Sequence, residues 1–487
     1  MAGIGFELKK LFNKTSTVGY LMASFYTAIV TLGPFMLATL MILAIQQLMT
    51  LMDASYYSRQ LYLGSIVYPF IFSQIVSSGF SMLITRYVAD RLFNEQYEEI
   101  IPSLFGILAL ALALGAVPAL LFLWNSPLPL LLKVLTYLLY MELIIVWIQG
   151  VYLSALKDYL KIIFSYAAGT ATAVFLAFAA LYLLPDQDSM LLGILFAVCS
   201  GVFVILALLL FYILQFFPLR GGHYFAFLHY FDDHTRLFVT NFCYTLGIYT
   251  ANFFLWRSDA AQIVAGTYRF SPTYDVATFY AFLSIMPTMA AFVVSAELVF
   301  YDKYRVYFSA ITGKGNYQEI ETARQDMLQT MWSEIRNLFE FQLVFSLLFL
   351  ALGDFLLPGI GITHESIDIY NILILGSFAI GMAQIIQIIL LYFDARREAL
   401  LISLLFFTSN FALNLIGLHL PTNLQGFPFF LSSMLTVSVS IYLLHSYAKR
   451  LDYFVFSSQP MFTQTLPGLL QRVCRALGAN LSGNSNR

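Results

Sequence analysis

The sequence predicts an all-α polytopic membrane protein with twelve transmembrane helices in two six-helix lobes around a central cavity. Three observations predict it. Of 487 residues, 60% are hydrophobic and 11% charged, where a soluble domain carries about 25% charged residues, and the mean hydropathy is +0.78. Twelve apolar runs follow one another, most of them about 20–25 residues long, the length that crosses a hydrocarbon core. With both termini cytoplasmic, only Arg59, Lys133, Arg257 and Arg269 of the 25 Lys and Arg fall in outer segments. That asymmetry is the one the positive-inside rule requires, and a missed span would scramble it.

The elements follow in order. In residues 1–16, Ile4, Leu8, Leu11 and Phe12 repeat at helical spacing opposite Lys9 and Lys10, which suits a helix lying in the membrane interface. The first apolar run is about 30 residues, too long for the core of a cleavable signal. Runs near 17–50, 61–85, 101–124, 134–156, 162–184 and 190–217 make an N-lobe, 17–236. Runs near 237–256, 276–300, 338–358, 370–393, 398–420 and 427–447 make a C-lobe, 237–447. The first and sixth runs are long enough to tilt. Two six-span halves of like orientation are a common transporter plan, with the path between them. Within an inner segment at 301–337, Ile320, Ala323, Met327 and Met331 form one apolar stripe. It predicts an amphipathic cytoplasmic helix, either resting on the membrane or docking a partner. In the cytoplasmic tail, 448–487, Leu469, Leu470, Val473 and Leu477 alternate with Arg472 and Arg475, again as in an interfacial helix.

The stretch Tyr274–Arg305 is the one around which the chain is organised. Asp275 marks its outer end, Pro287 interrupts it mid-span, and Glu297 lies about one turn from its inner end. A proline-broken helix carrying a carboxylate is tolerable in lipid only when it faces a neighbour or a watery cavity. Glu142, about nine residues into the fourth span, is the deepest charge; it binds a proton, a cation or a sugar hydroxyl, or it bonds a neighbouring helix. Glu340 and Asp354 fall near the ends of the ninth span and read as interfacial. Tyr26, Tyr62, Tyr68, Tyr244, Tyr249 and Tyr280 lie within spans, each offering a flat apolar body and a polar tip to a sugar ring, or filling space. Asn241, Asn252, Asn410 and Asn414 could bond substrate or serve as polar glue between helices. Gly33, Pro34, Pro69, Pro118 and Pro287 mark helix kinks, hinges for alternating access or static bends.

Other chemistries find no support in the residues. The net charge of -2 gives no basic field for nucleic acid. Cys199, Cys243 and Cys474 form neither a disulfide framework nor a metal spacing. Phosphate-loop, zinc-protease and nucleophile-elbow motifs are missing, so no catalytic residue, metal or cofactor is expected. Asp186-Gln187-Asp188 reads D-x-D but falls in an outer loop, away from nucleotide sugars. No Lys or Arg lies deep in a span, whereas a carrier of pyrophosphate-linked lipid needs cations in its cavity.

The opening MAGIGFELKKLF, the span-seven string NFCYTLGIYTANFFLW, the pairs Tyr274-Asp275 and Met286-Pro287, the run Glu297–Arg305, and LYFDARREAL at Leu391–Leu400 resemble the PelG family, inner-membrane exporters of Pel exopolysaccharide. The resemblance implies the MOP flippase fold and outward movement of an amino-sugar polymer. It also implies partnership with PelD, PelE and the glycosyltransferase PelF, besides membrane lipid. Growth by a partner could push the polymer, or an ion gradient could drive rocking through Glu142 or Glu297. The alternatives are a lipid-linked oligosaccharide flippase of the same fold, and a membrane scaffold or glycosyltransferase component.

Overall fold

A computed structural model describes residues 17–155, 159–184, 186–218, 224–259, 261–313, 315–360 and 362–457, with side chains from Ile29 onward except those at 229, 297, 298 and 360. The interfacial helix expected at 1–16, the tail from 458 and the side chains of Tyr26 and Glu297 lie outside the described residues.

The first seven helices are α1 (Thr17–Leu51), α2 (Tyr56–Phe93), α3 (Ile100–Trp124), α4 (Leu130–Ala155), α5 (Tyr159–Leu183), α6 (Gln187–Phe216) and α7 (Leu228–Trp256). A two-stranded hairpin, β1 (Gln262–Val264) and β2 (Tyr268–Phe270), follows. Then come α8 (Pro272–Leu283), α9 (Met286–Val294), a π-helical turn (Ser295–Phe300), α10 (Tyr301–Thr312), α11 (Tyr317–Leu356), α12 (His364–Tyr392), α13 (Arg396–Gly417), α14 (Phe427–Lys449) and the short α15 (Leu451–Ser457). Among the described residues, eleven stretches are long and apolar enough to span a membrane. The twelfth helix of the sequence count is α7. Its apolar half is diluted by Asn241, Thr245, Thr250 and Asn252, and it is not among the eleven.

The helix starts are written in side chains. Ser55 Oγ accepts from Ser58 N at 3.0 Å, and Thr363 Oγ1 from Ser366 N at 3.3 Å. Asn316 and Glu319 close a reciprocal capping box at α11, satisfying two donors that the first turn leaves open. Asp186 of the D-x-D string is an N-cap: its Oδ2 accepts from Ser189 N at 3.3 Å and Ser189 Oγ at 3.1 Å. The helix expected in 301–337 and the ninth span are one continuous helix, α11, with Met327 and Met331 of the stripe fully buried.

The chain divides into two compact units. One comprises Pro34–Tyr249 and Gln262–Arg269; the other holds Thr250–Ala261, the chain from Phe270 onward and the residues before Pro34. In the first unit, α5 packs on α6, α2 on α4, and α4 on α6. The α5–α6 crossing is glycine-lined. A Cβ at Gly201 would stand 2.6 Å from Gly169 O, and one at Gly169 would stand 2.5 Å from Gly201 O. Small residues of this kind let backbones approach where no hydrophobic force acts between helices. In the second unit α12 is the central helix, 78% of its apolar window buried, and packs against α8, α11 and α14.

The turn between α12 and α13 is the LYFDARREAL string. Asp394 takes a positive φ of 58°, and Arg396 holds its carboxylate through Nε at 2.7 Å and Nη2 at 2.8 Å.

The hairpin belongs to the first unit and replaces what reads in sequence as a plain outer loop. Ala265 (φ 50°) and Gly266 (φ 61°) are the central pair of its turn, closed by Thr267 N donating to Val264 O at 3.1 Å, a left-handed pair that matches strand twist. Tyr268, fully buried, seats its ring where Gly64 of α2 leaves room; a Cβ there would lie 2.5 Å from Tyr268 Cδ2. Gly64→Val is therefore expected to unseat the hairpin at a cost of about 1–3 kcal/mol, read as a lower melting temperature in detergent. In a Tyr268→Ala background the same Gly64→Val change should be nearly neutral; an undiminished penalty there would show that Gly64 serves something else.

Candidate functional site

The polar residues of the first unit gather along α2, α4 and α7. Tyr249 of α7 donates its hydroxyl to Gln74 Oε1, and Asn241 Nδ2 donates to Ser78 O at 2.6 Å. Tyr244 is buried. Tyr68 spends its hydroxyl on the hairpin: it donates to Arg269 O at 3.0 Å and accepts from Arg269 N at 2.9 Å. Its ring lies against Tyr268 at 5.0 Å and Phe122 at 5.6 Å. The Tyr268 hydroxyl bonds Ser65 Oγ at 3.2 Å and Thr136 Oγ1 at 3.5 Å. Burial raises its pKa, against the opposing pull of those two bonds.

The hydroxyls of α2 mostly fold back onto their own helix. Ser73 donates to Phe70 O, Ser77 to Ser73 O, Ser81 to Ser77 O and Thr85 to Ser81 O, all at 2.8–3.0 Å. Ser73 Oγ in turn accepts from Trp147 Nε1 of α4 at 3.1 Å.

Glu142 of α4 is 6% exposed and is the one charged side chain in the buried set among the described residues; no Lys or Arg is in it. Its Oε2 has no hydrogen-bond partner. Seven residues on, two helical turns along the same face, Gln149 is 1% exposed with Oε1 likewise unpartnered. Buried acceptors of this kind are expensive to leave unmet.

In the second unit the stretch from Asp275 onward is irregular twice. Asp275 is a tie point: its carboxylate accepts from Asn252 Nδ2 at 2.8 Å, Trp256 Nε1 at 3.0 Å and Ser271 N at 3.0 Å. It thereby fixes the end of α7 against the start of α8. Tyr280, half-buried, stands one turn and a half further. The helix then breaks between Leu283 and Met286. Pro287 sits in the first turn of α9, where its missing N–H costs nothing within that helix but leaves the preceding turn short of a donor. Gln342 of α11 supplies one, donating to Ser284 O at 3.2 Å. The second irregularity is the π-helical turn, which contains Glu297; such turns recur at functional sites. Ser295 at its start donates to Glu334 Oε2 at 2.6 Å. By contrast, α1, α2 and α3 continue through Pro34, Pro69 and Pro118 without a break.

Gln74, Gln149 and Gln342 are absent from the sequence reading. Their signal is the same as that of the asparagines: a long polar side chain inside an apolar span. Among the described residues no group of three or more His, Cys, Asp or Glu could hold a metal ion.

The arrangement of helices is similar to that of solved transporters. The bent form of the Vibrio cholerae MATE transporter VcmN superposes with a TM-score of 0.60 at 12% identity, over 93% of this chain and 100% of that one. An outward-facing multidrug resistance MATE transporter of the MOP superfamily gives 0.56 at 13%, over 88% and 96%. A MOP superfamily transporter from Pyrococcus furiosus gives 0.52 at 13%, over 88% and 96%. At these identities the likeness shows the fold. No curated protein matches the sequence. The family model described as PelG, putative exopolysaccharide exporter (EPS-E), matches residues 1–456. The chain belongs to that family.

A PelG-family chain with a MOP fold is a multi-pass membrane transporter of exopolysaccharide, and both family and fold are those of a transporter rather than an enzyme.

Proposed function

We propose that this PelG-family chain exports a Pel-type amino-sugar polymer across the cytoplasmic membrane, with both termini in the cytoplasm and with PelD-, PelE- and PelF-like synthase components as partners. The family match over residues 1–456 carries the reading. One physical observation favours polymer over lipid-linked repeat. Glu142 is the single charged side chain in the buried set among the described residues, and it is an acid. A diphosphate in low dielectric needs a paired cation, whereas a neutral or amino-bearing sugar chain does not. In the first unit, Tyr249, Gln74 and Asn241 are the polar groups that would meet the polymer.

The test is reconstitution in vesicles with the synthase partners, asking whether polymer reaches the lumen. Glu142→Gln is expected to lower export roughly tenfold, about 1.4 kcal/mol of barrier, and to flatten its response to a proton gradient. Wild-type export by the variant at every pH would remove Glu142 from coupling and leave chain growth as the driving force. Transport of a lipid-linked repeat in place of polymer would overturn the assignment.

A further inference from the structure

The second unit carries a groove that no part of the export reading uses. It lies between the C-terminal end of α11 and the start of α12, with a volume of about 480 Å³. Leu347, Ala351, Ile372 and Leu375 make its apolar wall; Asp354 and Asn371 stand in the same lining. Leu347 is 57% exposed and Leu375 41%, so in a membrane this wall faces acyl chains. The groove exists because the two helices are pinned together beside it. Tyr370 seats its ring against Gly353, where no Cβ intrudes, and donates its hydroxyl to Phe349 O at 2.7 Å.

The polar part of the lining is acceptor-rich. Asn371 Nδ2 donates to Asp354 Oδ1 at 3.2 Å. That bond leaves Asp354 Oδ2 available and Asn371 Oδ1 buried without a partner. No Lys or Arg lies between Arg336 and Arg396, and His364 is the one basic side chain in that stretch, while Glu365 and Asp368 add two further carboxylates near the start of α12. A carboxylate and an amide oxygen beside an acyl-sized trough call for a ligand with an apolar tail and a cationic N–H donor head.

We propose that this groove binds phosphatidylethanolamine, its ammonium on Asp354 and Asn371 and an acyl chain along Leu347, Ala351, Ile372 and Leu375. Phosphatidylcholine has a cation but no N–H to give, and an anionic lipid brings only repulsion. The discrimination therefore rests on hydrogen-bond donation as well as charge. This lipid preference is independent of what the chain transports.

Native mass spectrometry of the full chain in detergent, supplied with phosphatidylethanolamine, phosphatidylcholine or phosphatidylglycerol, tests it. The ethanolamine lipid should survive delipidation as a bound adduct at roughly fivefold higher occupancy than the other two. Asp354→Asn, a near-isosteric change at an exposed position, should erase that preference, and Leu375→Trp should reduce adducts of all three. If Leu375→Trp fails to fold, Asp354→Asn decides alone. Equal retention of the three lipids by the wild-type chain, or an undiminished preference in Asp354→Asn, would overturn the proposal.

Discussion

Asp275→Ala is expected to cost at least about 3 kcal/mol of stability and to abolish export. The carboxylate it removes receives Asn252 Nδ2, Trp256 Nε1 and Ser271 N, and all three donors belong to buried residues. Each orphaned donor costs about 1–3 kcal/mol, more than a made bond contributes. The damage is also positional. Without the tie, the last turn of α7 and the first turn of α8 lose their common anchor. Asp275→Asn keeps the shape and one carbonyl acceptor but turns an NH2 group toward donors, so it should fall between wild type and alanine. Thermal unfolding in detergent, paired with vesicle export, checks both variants. An alanine variant that melts within roughly 2 °C of wild type would show that the carboxylate is not the anchor, since even 1 kcal/mol moves the midpoint by about that much.

Gly201→Leu should be as damaging for a different reason. Its Cβ would meet Gly169 O at 2.6 Å and Ala173 Cβ at 2.6 Å. One obstacle is backbone and the other is the first atom of a side chain, so neither can rotate away. Helices α5 and α6 would have to separate along their whole crossing. Overpacking at a well-filled site costs about 1–3 kcal/mol, and a leucine adds three more carbons beyond the first clash. We expect little folded protein in detergent extracts, by fluorescence-detected gel filtration. Phe175→Leu, on an exposed position of α5, is the control and should elute like wild type. Normal elution of Gly201→Leu would mean that the two helices do not depend on this close approach.

Much of the fold was legible because hydrophobic length and the distribution of Lys and Arg are direct readouts of a bilayer. The D-x-D string and the Pro287 break were legible in position; only coordinates distinguish a cap from a ligand, or a break with its own donor from a bend. The hairpin escaped because three-residue strands leave almost no periodic signal, and Ala265-Gly266 is a weaker turn cue than Asn-Gly. Its anchor, Tyr268, finds its notch at Gly64, about two hundred residues earlier, a pairing no local pattern encodes. The candidate site was legible by residue type rather than by role. Asp275 and Tyr68 were visible as polar groups in greasy surroundings, and both are consumed by structure. Glu142 keeps an unmet oxygen at depth, as Gln149 does two turns along. The glutamines carry neither charge nor ring, the two features that mark a functional group most plainly in an apolar span.

The back-bonded hydroxyls of α2 have a chemical corollary. A serine whose proton is already committed to its own helix has only lone pairs left to offer, as Ser73 does when it receives the Trp147 indole. The row at Ser73, Ser77, Ser81 and Thr85 is thus a ladder of bases without a single free proton. Any group packed against it has to bring the hydrogen itself, as the Trp147 indole does at Ser73.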